Sequence, residues 1–182
     1  MHGLIANQLR LFAIARQDRA AWTKALKDSG ADLGEMPPAL DRIYPDEAIV
    51  SVVVALAASR GMDTNSLLED FGAFLAPALL RVYEPLIRQE WRTLDVIEHV
   101  EERIHTVVRM RDPKAAPPYL SARKITNDMV EVTYTSPRRL CALGEGISRG
   151  LAAQYGERVV ITQPVCMHRG DPKCIIRVQL ER

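Results

Sequence analysis

Residues 111–120, RDPKAAPPYL, divide the chain into two parts that differ in the spacing of their apolar residues. Pro113, Pro117 and Pro118 fix the backbone φ and lack amide donors, so they end the helix that precedes them. Apolar residues recur every three or four positions before this stretch and every second position after it. The change predicts a mainly helical subregion at 1–111 and a β-rich subregion at 112–182.

Several segments of the first part carry the spacing or the end signals of helices. The segment YPDEAIVSVVVALAASRG, for example, has two acids directly after Pro45 and ends at Gly61. The predicted helices span residues 3–17, 44–61, 64–83 and 93–110, with a shorter helix around Trp22 that ends at Gly30.

The second part alternates apolar and polar residues, as half-buried strands do. The alternation covers DMVEVTY at 128–134 and CIIRVQL at 174–180, while 157–166 is a further strand and 138–156 a helix. The order is helices first and then β-β-α-β-β. It predicts an α+β fold, in which an N-terminal helical layer packs on a C-terminal antiparallel sheet with helices.

The bulk properties favour one compact unit over residues 1–182, because 182 residues with 47% hydrophobic composition supply one ordinary core. A net charge of +1 argues against nucleic acid and an anionic membrane surface as partners. No signal-peptide pattern or membrane-spanning apolar run is present in the sequence, which predicts a cytoplasmic protein.

His105 lies on an otherwise apolar helical face, beside Ile97, Glu101 and Val108. A histidine in such a place is more often a hydrogen-bonded core residue than a metal ligand. On its own, therefore, His105 leaves both interpretations open.

In EVTYTSPRR, residues 131–139, the donors Tyr134, Ser136 and Arg138 occupy every second position. If residues 129–138 are extended, the three side chains project from one face and suit a carboxylate or a phosphate. Pro137 favours the alternative, an edge strand that runs into a polar loop.

Together these features resemble the H-NOX (haem-nitric oxide/oxygen binding) domain family, of the bacterial stand-alone type. The resemblance covers essentially the whole chain and rests on their order and separation. The matching motifs are MHGLI at 1–5, LLEDFG at 67–72, His105, APP at 116–118 and YTSPR at 134–138.

The resemblance implies a non-covalent haem b buried between the helical layer and the sheet. His105 would be the proximal ligand of the haem iron. The residues that would hold the propionates are Tyr134, Ser136 and Arg138, and those pressed on the macrocycle are Ile5, Pro118 and Ile147. His2 would lie near the porphyrin, either as a second candidate ligand or as a helix-start residue.

The distal side of the pocket decides which gas binds. Relatives that bind O2 stably have a tyrosine where this chain has Leu143, and Leu9 and Leu75 take the other distal positions. Because bound O2 carries partial negative charge and gains from a donor, an apolar pocket favours NO and CO and makes stable O2 binding unfavourable. Counting along the helices places neither Tyr44 nor Tyr83 in the pocket, and it leaves open that one of them approaches the iron.

The resemblance implies a sensor rather than an enzyme, with a histidine kinase or a cyclic-di-GMP enzyme as its partner. NO would weaken the bond between iron and His105, and the two layers would then shift relative to each other. The alternative is a haem-free small-molecule or zinc-binding regulatory module in which His105 is structural.

The three cysteines form a second constellation. Cys166, His168 and Cys174 lie in a short turn, CMHRGDPKC, and Cys141 could reach them to complete a tetrahedral zinc site. Some NO-responsive relatives carry such a site, but one of their ligand positions is Gln163 here, so His168 substitutes or the site is incomplete. Three reduced thiols without a metal are the alternative.

Overall fold

The computed structural model describes residues 1–33, 37–112 and 114–181, so Pro113, one of the expected helix-ending prolines, lies outside the described residues. The helices are α1 (Gly3–Arg16), α2 (Arg19–Ser29), α3 (Asp46–Ser59), α4 (Thr64–Tyr83), α5 (Thr93–Val100), α6 (Thr106–Arg111) and α7 (Cys141–Gln154). The strands are β1 (Tyr119–Thr126), β2 (Met129–Thr135), β3 (Val159–Val165) and β4 (Cys174–Leu180). The predicted α+β class and the order β-β-α-β-β are confirmed.

Short helical turns join some of these elements. Single 3-10 turns lie at Glu84–Leu86 and Met167–Arg169, and a π-helical segment, Glu101–His105, connects α5 to α6. The predicted helix at 93–110 is therefore continuous but locally widened, because the π segment closes its turn with a bond from Thr106 N–H to the Glu101 carbonyl.

The four strands form one antiparallel sheet in the order β1-β2-β4-β3. Val130, Val132 and Tyr134 of β2 are buried on one face, as the period of two predicts. In the register of the sheet Tyr134 stands opposite Cys174 of β4. The buried face of the sheet meets α5 and α7.

The expected extended segment at 129–138 is shorter than predicted, because β2 ends at Thr135. Residues 137 and 138 form a turn, and Arg139 N–H donates to the Ser136 carbonyl at 3.1 Å. Arg139 has φ +51°, a left-handed conformation. Pro137 accounts for the difference, because it cannot donate to a strand ladder.

Helices α4 and α7 touch backbone to backbone through three glycines. A Cβ atom on Gly72 would collide with the Leu143 carbonyl, and one on Gly146 with the Glu69 carbonyl. A Cβ on Gly150 would lie 2.6 Å from the Ala73 carbonyl oxygen. We call Gly72, Gly146 and Gly150 the glycine seam.

Two hydrophobic clusters form the interior. One lies among α1 to α4, and the other lies between the sheet, α5 and α7. Ile147 of α7 packs against both clusters. A cavity opens between them, as the predicted layer arrangement requires. Across the described ranges, no helix combines the length and apolar character needed to cross a bilayer.

Candidate functional site

The cavity between the two clusters has a volume of about 280 Å³. It is slightly smaller than the range of roughly 300–1,000 Å³ typical of small-molecule sites. Its lining is mostly aliphatic, and the ionisable side chains on it include His105, Tyr134 and Arg138. The predicted site residues that line it are Ile5, Leu75, His105, Pro118, Tyr134, Arg138, Leu143 and Ile147.

Two predicted site residues lie behind this lining. Leu9 is fully buried within the cluster of α1 to α4, where it supports the wall without forming it. Ser136 is buried in the turn after β2, and its Oγ accepts from Arg138 N–H at 3.3 Å. The expected convergence of three side chains is therefore reduced to Tyr134 and Arg138, because the strand ends before Ser136.

His105 stands at the end of the π segment, with 15% of its side chain exposed. Its Nδ1 atom lies 3.0 Å from Glu101 Oε2, which leaves Nε2 as the ring nitrogen for another partner. Burial lowers the pKa of His105, and the hydrogen bond and charge of Glu101 oppose that effect only in part. The imidazole is therefore neutral at pH 7 and has the protonation state that a metal requires.

Arg138 reaches the cavity with its charge already compensated. Its Nε donates to Asp46 Oδ2 at 2.6 Å, and the Met1 ammonium donates to Asp46 Oδ1 at 2.7 Å. Burial raises the pKa of Asp46, but the hydrogen bonds and charges of Arg138 and the ammonium outweigh it and leave this pKa below its ordinary value. Arg138 and Asp46 thus form a partly buried ion pair beside the cavity.

Tyr134 is fixed by the turn that follows its strand. Its Oη accepts from Leu140 N–H at 3.0 Å, while Ser136 also hydrogen-bonds to it. Burial raises the pKa of Tyr134, so the phenol stays protonated and can still donate.

The wall formed by α4 and α7 is apolar where Leu75 and Leu143 line it. Ser148 also lines the cavity, but its hydroxyl donates to the Gly144 carbonyl at 2.9 Å. The side chains of Leu75, Leu143 and Ser148 therefore present no free hydrogen-bond donor to the cavity.

The expectation that neither tyrosine of the helical part lies in the pocket is wrong for Tyr83, which lines the cavity. It sits eight residues after Leu75, about 12 Å farther along α4. Burial raises the pKa of Tyr83 and the charge of Arg111 in α6 lowers it. Tyr83 thus lies toward α6, the His105 side. Tyr44 is buried in the helical cluster, and its Oη accepts from Ala39 N–H at 2.9 Å.

His2 lines the cavity as the N-cap of α1, and its Nδ1 accepts from Leu4 N–H at 3.3 Å. This is the helix-start arrangement that the sequence left open. The residue also pairs with Ile43 through its backbone.

The thiols of Cys141, Cys166 and Cys174 meet in the interior, with their Sγ atoms all within 4.8 Å of one another. They are free cysteines. His168 is not brought into this group, because its Nε2 lies 2.7 Å from the Arg139 carbonyl oxygen. The Gln163 amide lies against Cys141 instead.

The thiols of Cys141 and Cys174 are protonated at neutral pH. Burial raises the pKa of Cys174 to about 12 and also raises that of Cys141, which the Gln163 contact lowers only in part. A cation bound here would have to displace these protons.

Sequence reasoning missed two partners of the site. Glu101 was interpreted only as one member of a helical stripe, although its position four residues before His105 places the two side chains together. Asp46 was interpreted as a helix-start acid, and it lies 92 residues from Arg138, so no local pattern joins them.

Comparison with known proteins relates this arrangement to one family. The family model described as Haem-NO-binding matches residues 2–163. No curated protein matches the sequence.

Several solved structures share the fold. An H-NOX protein from S. oneidensis, solved in the Fe(II)NO ligation state, has a TM-score of 0.90 at 22% identity, with 100% of both chains covered. An unliganded Fe(II) H-NOX protein from K. algicida has a TM-score of 0.82 at 16% identity, with 100% of this chain and 97% of that chain covered. An H-NOX mutant from T. tengcongensis has a TM-score of 0.84 at 15% identity, with 100% and 98% covered.

Proposed function

The chain belongs to the Haem-NO-binding family, and on that premise we propose that it is a haem-based sensor of nitric oxide that also binds CO. The haem would be a non-covalent haem b in the cavity between the helical part and the sheet. Residues 1–182 would act as one unit without enzymatic activity of their own. We also propose a cytoplasmic location.

One observation carries this proposal. An aliphatic cavity holds a neutral, largely buried imidazole, and the same cavity is bordered by a phenol and a guanidinium. A porphyrin needs this combination of an apolar environment for its macrocycle, a nitrogen ligand for iron and donors for its two carboxylates. The residues present therefore fit haem.

His105 would bind iron through Nε2, because Nδ1 is engaged with Glu101. When bound, haem would supply an iron that takes NO or CO, and His105 would hold that iron in the cavity. Pro118, Ile5 and Ile147 would press on the macrocycle.

Tyr134 and Arg138 would hold the propionates, with Ser136 orienting the turn between them. A propionate would then meet a guanidinium that already has a carboxylate partner in Asp46. Arg138 has further donors in its planar fork, so it can bind both carboxylates at once.

The apolar wall around Leu75 and Leu143 determines the choice of gas. Leu75 and Leu143 offer no donor to the partial negative charge on bound O2, and the Ser148 hydroxyl already donates to the Gly144 carbonyl, whereas NO and CO need much less help. We infer that the protein responds to NO and CO and does not bind O2 stably.

The output would pass to a partner protein, a histidine kinase or a cyclic-di-GMP enzyme. The position of the cavity between the two clusters supports such a role, because a change in the contacts of the haem would act on both clusters. A change in how the clusters pack would be the signal.

We also propose that the three thiols bind one zinc ion structurally. Cys141, Cys166 and Cys174 supply three ligands, and His168 would have to leave the Arg139 carbonyl to become the fourth. Metal analysis of the purified protein should find one zinc per chain and none after Cys174→Ser. A zinc-free wild type purified with zinc present contradicts the site.

A visible spectrum tests the haem. The purified protein should show a Soret band that is lost in His105→Gly and returns with added imidazole. His99→Gly is the matched control, because that histidine also lies in a helix and does not line the cavity. A colourless wild type that ignores added haem would favour the haem-free regulatory module.

A further inference from the structure

We propose that Glu101 is a positioning residue that accepts a hydrogen bond from His105 Nδ1–H and gives the imidazole anionic character, which strengthens its bond to iron and delays its release by NO. The inference rests on the proposed ligation of haem by His105. It adds a residue of this chain that sets the threshold of the sensor.

The geometry joins the two side chains directly. Glu101 Oε2 lies 3.0 Å from His105 Nδ1, within hydrogen-bond distance. Glu101 and His105 are the first and last residues of the π segment. Thr106 locks its start, because both its N–H and its Oγ1 donate to the Glu101 carbonyl, the latter at 3.0 Å. Such segments are rare and often occur at functional sites.

The carboxylate of Glu101 is held by three donors. Oε2 accepts from Leu120 N–H of β1 at 3.1 Å as well as from His105, and Oε1 accepts from Arg109. The Arg109 guanidinium also lies over the Tyr119 ring, at 5.1 Å from its centroid. Arg109 thus pairs with one oxygen of the carboxylate, while the other oxygen faces the histidine.

The neighbouring residue, Glu102, forms a similar contact with a histidine, but that contact is more exposed to water. Glu102 also contacts a histidine, with Oε1 at 3.0 Å from His99 Nδ1, but its side chain is 63% exposed. The Glu101 side chain is 26% exposed and His105 is 15% exposed. Only the Glu101 pair is shielded enough from water for a hydrogen bond to polarise the ring strongly.

A carboxylate on the far nitrogen of a metal-bound histidine fixes its tautomer and raises its basicity as a ligand. For haem, such hydrogen bonding around the axial ligand is one of the means by which a protein sets the behaviour of the iron. The Glu101 contact should therefore favour retention of His105 when NO binds opposite it.

Glu101→Gln tests the inference in the haem-loaded ferrous protein, because the amide keeps an acceptor and removes the charge. The iron–histidine stretching band in resonance Raman should move to lower frequency, and the haem midpoint potential should rise. Haem loss to a scavenging apoprotein should accelerate about tenfold, the lower end of the effect usual for such partners. The NO complex should contain a larger five-coordinate fraction.

Glu102→Gln is the matched control and should leave all four measurements unchanged. An unshifted band and potential in Glu101→Gln would reduce Glu101 to a structural role and overturn the inference. Absence of any iron–histidine band in the wild type is a different result, because it removes the proposed ligation itself.

A second comparison covers the case in which Glu101→Gln fails to take up haem. In His105→Gly, imidazole and 1-methylimidazole can each occupy the place of the missing side chain, but only imidazole has an N–H that can donate a hydrogen bond to Glu101. The iron–ligand band should lie higher with imidazole, and Glu102→Gln in the same background should preserve that difference. The inference is overturned if the iron–ligand band shifts equally with both ligands, each measured relative to a protein-free haem that carries the same ligand.

Discussion

At the scale of single residues, the Asp46 carboxylate joins Arg138 to the Met1 ammonium beside the cavity. Asp46→Asn removes the charge that both cations share. We expect the free energy of unfolding of the haem-free protein to fall by roughly 1–2 kcal/mol, between the values for exposed and buried pairs. The loss should be smaller with haem bound, because a propionate can replace the carboxylate. Urea unfolding of both forms measures this.

Glu47→Gln is the control, because it removes the other first-turn acid of α3, which is exposed. Equal losses in the two variants would show that the helix dipole, and not the ion pair, accounts for the effect.

The same ion pair has a definite pH dependence. Because the folded pKa of Asp46 is below the ordinary value of 3.8, its contribution is fully present above that value. It is lost as the pH falls through the lower folded pKa. The stability difference between wild type and Asp46→Asn should therefore be constant from pH 5 to 7 and should vanish in stronger acid. Unfolding curves measure this difference at each pH. A difference between wild type and Asp46→Asn that persists in strong acid would contradict the assigned contribution of the ion pair.

Leu143 permits a direct test of gas choice. Leu143→Tyr should place a hydroxyl against the cavity and stabilise bound O2, because the partially negative ligand then has a donor. The ferrous variant exposed to air should show a longer-lived oxy spectrum than the wild type. Leu143→Phe supplies the same ring without the hydroxyl and should not. A stable oxy spectrum in the wild type would refute the apolar-wall argument.

The helix that carries His105 and the strand that carries Tyr134 could be predicted from local spacing, but only the resemblance to the H-NOX family placed the two residues in one site. Glu101 and Asp46 could not be assigned in the same way. Both have ordinary local explanations as helix-face and helix-start acids, and their roles depend on which residues the fold brings beside them. Tyr83 was misplaced because counting along α4 ignores the direction in which its end approaches α6.

At the scale of elements, the glycine seam makes α4 and α7 one layer of contacting backbone. Gly146→Ala should lower the free energy of unfolding by roughly 1–3 kcal/mol, because its methyl group would meet the Glu69 carbonyl and force the helices apart. Thermal or urea unfolding measures the loss.

Gly144→Ala is the control in the same helix. Nothing lies within 4 Å of a Cβ at that position, which borders the cavity, so alanine should stabilise α7 of the haem-free protein by about 0.5–1 kcal/mol. Destabilisation of both variants to the same extent would show that the seam is not what makes position 146 sensitive.

The elements themselves were largely predictable, because strong periodicity and end signals fix helices such as α4 at their full length. The exceptions are local. The π segment does not interrupt the apolar stripe of the helix, so the sequence pattern does not reveal it. The early end of β2 follows from Pro137, although three donors at alternate positions favour a longer strand.

At the scale of the whole molecule, each hydrophobic cluster contains one tryptophan. Trp22 belongs to the cluster of α1 to α4, and Trp91 to the cluster of the sheet, α5 and α7. Trp22→Phe and Trp91→Phe therefore give single-tryptophan proteins that report on one cluster each. If residues 1–182 form one unit, the two should unfold at the same urea concentration, with haem raising both midpoints together.

Circular dichroism of each variant supplies the control for a stability change caused by the substitution. Separate fluorescence transitions, after that correction, would divide the chain into two independently folding parts. Such a result would also weaken the idea that the relation of the clusters carries the signal.

The glycine seam also constrains how the chain reaches its native state. Glu69 of α4 forms an ion pair with Arg149 of α7, 80 residues later in the chain. Helices whose backbones touch across such a distance cannot nucleate each other early, because a long loop must close first. During synthesis the N-terminal helices would therefore keep an apolar surface exposed to water until α7 leaves the ribosome. Chaperone demand should be greatest in that interval, before the cavity that would receive haem exists.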